Sequence, residues 1–139
     1  MSLPSLDNAH LPGSSGPQPT CFGNRTDAAV PEAAAATRMI VLADGRRLAY
    51  SEYGDTHGSP VFYFHSQASS RLEGRFFHRD AERGGFRIIA IDRPGTGFSD
   101  PRPGMKHRDF VGDVLALADS LAIPEFGLLA WAGGAPFAA

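Results

Sequence analysis

The residues with the clearest chemical signature form a sharp turn at positions 130–134, Ala-Trp-Ala-Gly-Gly, directly after an apolar run. Small residues on both flanks of such a turn, here Ala130 and Gly134, let a strand and the following helix approach closely. In the G-x-S-x-G turn, or nucleophile elbow, this geometry exposes a nucleophile on a strained backbone. Here the central position is Ala132, whose methyl group cannot attack a substrate. The pattern predicts an elbow without its nucleophile; an ordinary strand-to-helix turn is the alternative.

A second candidate segment, residues 64–70 (Phe-His-Ser-Gln-Ala-Ser-Ser), also follows an apolar run. In the fold that carries a nucleophile elbow, the corresponding loop donates one backbone N–H to the oxyanion hole, and the residue after the nucleophile donates the other. For the side chain of His65 we prefer a packed, hydrogen-bonded position at the strand end over a catalytic position. The segment is therefore a candidate for oxyanion binding through its backbone.

The third candidate segment is residues 92–101, Asp-Arg-Pro-Gly-Thr-Gly-Phe-Ser-Asp-Pro, again after an apolar run. Two glycines separated by one residue suggest a phosphate-binding loop, but neither G-x-G-x-x-G nor a Walker lysine follows. We therefore expect Gly95 and Gly97 to adopt positive φ in a sharp surface turn. Asp92 is expected to accept hydrogen bonds from amides of the same turn.

Composition limits the classes of protein to which the chain can belong. Its 139 residues carry a net charge of −2 and are 42% hydrophobic, which is ordinary for one soluble domain and gives no general attraction to nucleic acid or anionic membranes. Cys21 has no disulfide partner, and no histidine lies in a cluster with metal-ligand spacing, so we expect neither metal nor cofactor. The absence of a signal peptide, and of an apolar stretch of about 20 residues, favours a cytoplasmic protein.

The chain divides into two parts of different composition. Residues 1–37 are rich in Pro, Gly, Ser and Ala and predict a disordered tail before a folded portion over residues 38–139. In the folded portion, Asp44-Gly45 indicates a hairpin, and the apolar run Val61–His65 is typical of a strand covered on both faces. The segment Phe-Gly-Leu-Leu-Ala-Trp-Ala is interpreted as another buried strand. The predicted strands lie near residues 39–43, 47–53, 60–65, 86–91 and 125–131.

Two helices alternate with the later strands. The first, near residues 70–83, has Ser69 or Ser70 as its N-cap and Gly84-Gly85 as its stop. The second, near residues 106–121, has a clear amphipathic period. The apolar positions are Leu72, Phe76, Phe77 and Ala81 in the first helix, and Phe110, Val114, Leu117, Ala118 and Leu121 in the second. This alternation predicts an α/β fold with a right-handed parallel sheet.

The three loops strongly resemble the N-terminal part of the α/β-hydrolase superfamily. So does the segment that precedes them, Asp-Gly-Arg-Arg-Leu-Ala-Tyr-Ser-Glu-Tyr-Gly-Asp. The branch is that of bacterial esterase-like or epoxide-hydrolase-like members with H-G-x-P-G-S-R and D-R-P-G-x-G-x-S loops. The resemblance covers residues 39–139, and Asp-Arg-Pro-Gly-Thr-Gly-Phe-Ser is its most specific element. It implies a partial α/β-hydrolase fold: a mostly parallel sheet of the first five strands in the order 1-2-4-3-5, the first two antiparallel, with two complete helices.

The resemblance also assigns positions. It puts Ala132 at the nucleophile position, with Trp131 before it, and implies oxyanion-hole amides at Gln67 and Gly133. The residues expected to shape the surrounding loops are His65, Asp92, Gly95, Gly97 and Gly134. Three departures from the family pattern are that Ser66, Ala68 and Ala130 stand where the family usually has glycine, proline and glycine.

What the resemblance implies for activity is negative. The family's acid and histidine follow the nucleophile in chain order, whereas all five histidines here precede Ala132. We therefore expect a truncated, catalytically inactive relative of ester- or epoxide-hydrolysing enzymes. The alternatives are one piece of a split or cleaved hydrolase, and a non-catalytic binding module that uses a residual pocket or the sheet edge. Expected partners are a small ester or epoxide for the parent family, no nucleic acid and no membrane, and possible self-association through the strand at 125–131.

Overall fold

A computed structural model of the chain describes residues 36–138. The predicted disordered tail therefore lies almost entirely outside the described residues. Its last two positions are described, and both contact the folded portion. Ser51 Oγ donates a hydrogen bond to the carbonyl oxygen of Ala36 at 3.0 Å, and the Arg71 guanidinium donates to the hydroxyl of Thr37.

The described residues form five strands, two α-helices and three 3₁₀ segments. The strands are β1 (Arg38–Val41), β2 (Arg47–Gly54), β3 (Ser59–Phe64), β4 (Phe86–Ile91) and β5 (Gly127–Ala130). The helices are α1 (His78–Gly84) and α2 (Phe110–Ser120). The 3₁₀ segments are Arg71–Phe77, His107–Asp109 and Ala132–Phe137. All five predicted strands and both predicted helices are thus present, with boundaries shifted by one or two residues at most strand ends.

The sheet has the order β1-β2-β4-β3-β5, as predicted. The pairing on which the fold assignment depends is also confirmed, because β3 and β4 run parallel with Val61 opposite Ile88. The description of the sheet as mostly parallel was wrong. Two of its four strand pairings, β1 with β2 and β2 with β4, are antiparallel, so the sheet is mixed. The hairpin at Gly45, which has a φ of +84°, makes the first of these pairs antiparallel. The short turn between Gly54 and Ser59 reverses the chain again, so that β2 runs opposite to β3 and therefore to β4.

Both faces of the central strands are covered, as the apolar run of β3 predicts. Phe62 and Phe64 belong to a large cluster with Phe110 and Leu117 of α2 on one face. Tyr63 belongs to a smaller cluster on the other face, where it packs with Tyr53, Ile88 and Ala81. Because successive side chains of a strand point to opposite faces, the middle of β3 is buried from both sides. Within the predicted stripe of α2, Phe110, Val114, Leu117 and Ala118 are buried.

The predicted apolar face of the first helix was wrong in its first half, whereas Ala81 is buried and Phe77 packs against the core as predicted. Ser70 caps the segment, and Gly85 ends α1 with a φ of +69°, as predicted. The first two turns are 3₁₀ rather than α-helical, however, and three residues per turn move the inward face to other positions. Arg71, Gly74, His78 and Ala81 are buried, while Leu72 and Phe76 are exposed.

Strand β5 lies at the end of the sheet. It pairs with β3 in parallel, with Phe62 opposite Leu128, and among the described residues no strand pairs with its other side. Its interpretation as a buried strand was therefore wrong, whereas the open strand edge on which the expected self-association depends is present. The side chain of Leu128 is 49% exposed, and that of Trp131, just beyond the strand, is 59% exposed.

Candidate active site

The turn after β5 has a strained backbone at its centre. Trp131 is extended, with φ −118° and ψ 127°, and Ala132 follows with φ +45°. A residue with a Cβ rarely adopts positive φ, and doing so costs roughly 1–2 kcal/mol. The chain then enters the 3₁₀ segment, whose first turn is closed by a hydrogen bond from Gly134 N to Trp131 O of 2.8 Å. The methyl group of Ala132 is thereby held on an exposed, sharply bent turn.

Close packing explains why the flank of this turn must be small. A Cβ on Gly134 would lie 2.2 Å from the carbonyl oxygen of Phe64 and 2.8 Å from that of His65, distances that real Cβ atoms essentially never show. Trp131 N also donates to Phe64 O at 3.1 Å. The turn is therefore fastened directly to the carboxyl end of β3.

The same packing brings the two predicted oxyanion segments into contact. A Cβ built on Gly133 would lie 2.9 Å from Gln67 Cβ and 3.2 Å from Gln67 N. The backbones at positions 67 and 133, which are 66 residues apart in sequence, therefore touch beside Ala132. Such proximity is necessary for two amides to share one oxyanion.

His65 is completely buried at the end of β3. Its Nδ1 lies 2.7 Å from Ser66 O, and its Nε2 lies 3.5 Å from Arg93 N and 3.4 Å from Thr96 Oγ1. Burial, reinforced by the nearby Arg93 charge, lowers the pKa of His65, and the Ser66 carbonyl opposes this only in part. The ring thus joins the loop after β3 to the loop after β4 and is neutral near pH 7.

Asp92 organises the loop that follows β4. Its buried carboxylate accepts hydrogen bonds from Arg71 N (2.7 Å), Arg71 Nη1 (2.6 Å) and Phe98 N (3.0 Å). Gly95 and Gly97 have φ values of +81° and +52°. A Cβ on Gly97 would lie 2.0 Å from Asp92 Oδ2, so the turn closes tightly around this carboxylate. The sequence indicated the turn amide as a partner of Asp92, but not the ion pair with Arg71.

Comparison with known sequences identifies relatives among hydrolytic enzymes. The chain is 28% identical over 105 residues to a proline iminopeptidase from Xylella fastidiosa strain 9a5c, and a second strain of that species has a protein matched equally well. The match covers 72% of this chain and 33% of the relative. The chain therefore spans about a third of the length of the curated relatives that it matches. No family model matches the chain.

Solved structures agree on the fold. An epoxide hydrolase from Vigna radiata superimposes with a TM-score of 0.63 at 25% identity, covering 73% of this chain and 33% of that protein. A hydrolase from Pseudomonas aeruginosa (TM-score 0.65, 24% identity) and an esterase from Exiguobacterium antarcticum (0.64, 22%) match 73% and 74% of this chain, and 38% of each structure. The chain carries the N-terminal part of the α/β-hydrolase fold.

Within this α/β-hydrolase scaffold, Arg93 is a central residue that the sequence reasoning missed. Its Nη1 donates to Gly133 O at 3.1 Å, and its Nη2 donates to Ser66 O at 2.9 Å and to Gln67 O at 3.4 Å. Arg93 therefore ties the loop after β3 to the elbow, across both predicted oxyanion positions. Its position inside Asp-Arg-Pro-Gly, next to a buried strand, was the available signal.

Glu73 supports the same loop from the other side and was also missed. Its carboxylate accepts hydrogen bonds from Tyr63 Oη, Ser66 N and Ser66 Oγ, each at 2.7 Å. Partial burial, the largest single influence, raises the pKa of Glu73, but the hydrogen bonds from Tyr63 and Ser66 together outweigh it, so the pKa is lowered. Ser66, which departs from the family glycine, thus uses its side chain to fasten the loop.

A cleft of about 410 Å³ opens beside the elbow. Gln67 and Gly133 line it together with Arg93 and with the ring of His107, which stacks edge-on against Phe137 at 4.5 Å between centroids. His107 was not expected near the elbow; the sequence placed it in the predicted helix near residues 106–121, and the structure has it in the 3₁₀ segment before α2. Over residues 36–138, no group of three or more His, Cys, Asp or Glu side chains could hold a metal ion, and no helix is long and apolar enough to span a bilayer.

Proposed function

We propose that this chain is an α/β-hydrolase relative that retains the elbow and oxyanion segments but does not itself hydrolyse esters or epoxides. The observation that carries the proposal is Ala132, a methyl group at φ +45° on the turn where the family mounts its nucleophile. A methyl group cannot form a covalent intermediate. Oxyanion binding alone leaves a serine hydrolase with only about 10³- to 10⁴-fold acceleration over water.

The histidines of the described residues support this proposal. His65 is buried, and its ring nitrogens face Ser66, Arg93 and Thr96 rather than the elbow. His78 Nδ1 accepts a hydrogen bond from Gly54 N at 2.9 Å. Only His107 lines the cleft with Gly133, and it is exposed there. A general base must reach the proton that it removes, so His107 is the histidine that a test has to exclude.

The test is hydrolysis of p-nitrophenyl acetate, and of styrene oxide, by the purified chain. We expect wild type and Ala132→Ser to release product no faster than a heat-denatured control. Two further variants combine Ala132→Ser with His65→Ala or with His107→Ala. A serine-dependent burst that either histidine substitution abolishes would reveal an improvised dyad and refute the proposal.

A second candidate is that a separate polypeptide completes the domain. It is favoured by the match to about a third of the relatives' length and by the exposed apolar side chains at the unpaired side of β5. The test is to mix Ala132→Ser with a fragment holding the remaining two thirds of the Xylella relative. Serine-dependent hydrolysis that requires both components would support this candidate; inactive mixtures would favour the inert relative. The third alternative, a non-catalytic binding module, is supported by the cleft beside the elbow.

A further inference from the structure

The cleft beside the elbow contains a buried cation without a counterion. Arg93 is only 7% exposed, and among the ion pairs of residues 36–138 none involves it. The other two arginines whose side chains are nearly buried are paired. Arg71 lies 2.6 Å from the Asp92 carboxylate, and Arg46 lies 2.7 Å from that of Asp113. Burying a charge is costly unless a partner compensates it.

The hydrogen bonds of Arg93 give its N–H groups acceptors, but they do not neutralise its positive charge. Its acceptors at Ser66, Gln67 and Gly133 are neutral backbone carbonyls. Its guanidinium also lies over the ring of Phe137, 4.9 Å from the centroid, which attracts the cation but carries no net charge. Glu73 is the carboxylate that acts on it electrostatically, but Glu73 is turned towards Tyr63 and Ser66. Because burial is the larger influence, the pKa of Arg93 is lowered. An anion in the cleft would compensate the buried positive charge of Arg93.

The lining of the cleft limits what that anion can be. No Asp or Glu side chain lines it, so nothing there repels negative charge. Besides the polar groups of Gln67, Thr96 and His107, the walls are the apolar side chains of Met105 and Phe137 with two prolines. A single arginine compensates one negative charge, and apolar walls penalise a second. This combination favours a planar monoanion attached to an apolar body.

We propose that this cleft binds a small monocarboxylate with an apolar tail, whose carboxylate lies beside Arg93, Gln67 and Gly133 and whose tail contacts Met105 and Phe137. The inference goes beyond the proposed function, because an inert hydrolase relative needs no ligand. It also differs from a substrate site, since the ligand is an acid that undergoes no reaction. Ala132 is compatible with this, because its methyl group adds neither charge nor a nucleophile beside the bound oxygens.

The first experiment compares isosteric ligands on the unmodified chain, purified as a fusion to a soluble carrier protein, with the carrier alone as the blank. Benzoate, benzamide and inorganic phosphate are titrated by isothermal calorimetry at fixed ionic strength. We expect benzoate to bind with one site per chain, and benzamide and phosphate to bind at least tenfold more weakly. Equal binding of benzamide would show an apolar cleft without anion selectivity and overturn the proposal. Equal binding of phosphate, or no binding of benzoate, would overturn it too.

The second experiment places the ligand at Arg93. Arg93→Met should weaken benzoate binding at least tenfold, Arg93→Lys should retain part of it, and Arg83→Met, an exposed arginine on α1, should leave it unchanged. Circular dichroism shows whether each variant is folded. If Arg93→Met is unfolded, the assignment is decided by comparing the binding of benzoate and of benzamide to Arg93→Lys. Benzoate bound equally by folded Arg93→Met would refute the assignment. Because this readout is binding and that of the proposed function is hydrolysis, either can fail alone.

Discussion

The buried pair of Asp92 and Arg71 gives the sharpest test of how the loops are held. Asp92 is fully buried, Arg71 is 4% exposed, and the carboxylate accepts three hydrogen bonds, including one from Phe98 N. Asp92→Asn has nearly the same volume, so it opens no cavity. It removes the negative charge and turns an NH₂ group towards existing donors.

The expected magnitude follows from this burial. Removing one partner of a buried ion pair destabilises a protein by about 3–5 kcal/mol, because the other charge remains buried and unpaired. A domain is stable by only about 5–15 kcal/mol in total. We therefore expect Asp92→Asn to remove a large share of the stability of this chain, although the substitution is nearly isosteric.

The assay is urea unfolding followed by far-ultraviolet circular dichroism at low micromolar protein concentration. Arg71→Met and the double variant complete a mutant cycle, and the double variant should recover part of the loss, since no unpaired cation remains. Asp100→Asn is the matched control, because its ion pair with Arg47 is partly exposed on both sides. A loss below about 1 kcal/mol for Asp92→Asn, or strict additivity in the cycle, would refute the reasoning.

Three further outcomes are expected. Ala132→Gly should raise the urea midpoint slightly, and so should Ala122→Gly, because Ala122 also has a positive φ, +54°. The substitution relieves about 1–2 kcal/mol of backbone strain, which exceeds the entropy cost of glycine, about 0.5–1 kcal/mol. A lower midpoint for both variants would contradict this reasoning. Arg47 lowers the pKa of Asp100 from 3.8 to about 2. The stability difference between wild type and Asp100→Asn should therefore persist above pH 4 and shrink as the pH falls towards 2. A difference that stays constant in thermal unfolding at acid pH would contradict this prediction. Leu128→Lys should increase the monomer fraction in size-exclusion chromatography by placing a charge on the unpaired strand, and an unchanged elution profile would argue against association through β5.

The order of the sheet was implied by the resemblance to the α/β-hydrolase superfamily, whereas the positions of the central strands could be predicted from a local signal. The run through Phe62, Tyr63 and Phe64 has large apolar residues at consecutive positions, which is typical of a strand covered on both faces. The spacing of Phe110, Val114 and Leu117 likewise shows which face of α2 meets the core. Such patterns can be recognised in a sequence because buried positions are mostly occupied by apolar residues.

The errors arose where residue type does not record the environment. Leu72 and Phe76 are apolar but exposed, because a 3₁₀ start gives the segment a different period from the α-helical one that was assumed. Leu128 is exposed because its strand has one neighbour, which is a property of the sheet and not of the strand. Arg93 reaches Gly133, 40 residues further along the chain, and Glu73 reaches back seven residues to Ser66. The motif around Arg93 marks it as a candidate, but residue type alone does not indicate either partner.

The elbow shows why the fold was easier to infer than the activity. The contacts that bend the chain at Ala132 are the hydrogen bond from Trp131 N to Phe64 O, the close approach of Gly134 to that same carbonyl, and the Arg93 tie to Gly133 O. None of them uses the side chain at position 132. The strained turn is therefore a consequence of packing small residues against β3, and it persists whatever that side chain is. The nucleophile is the one group at this turn that packing does not require, so a chain can keep the whole geometry of the elbow after a single substitution has removed it.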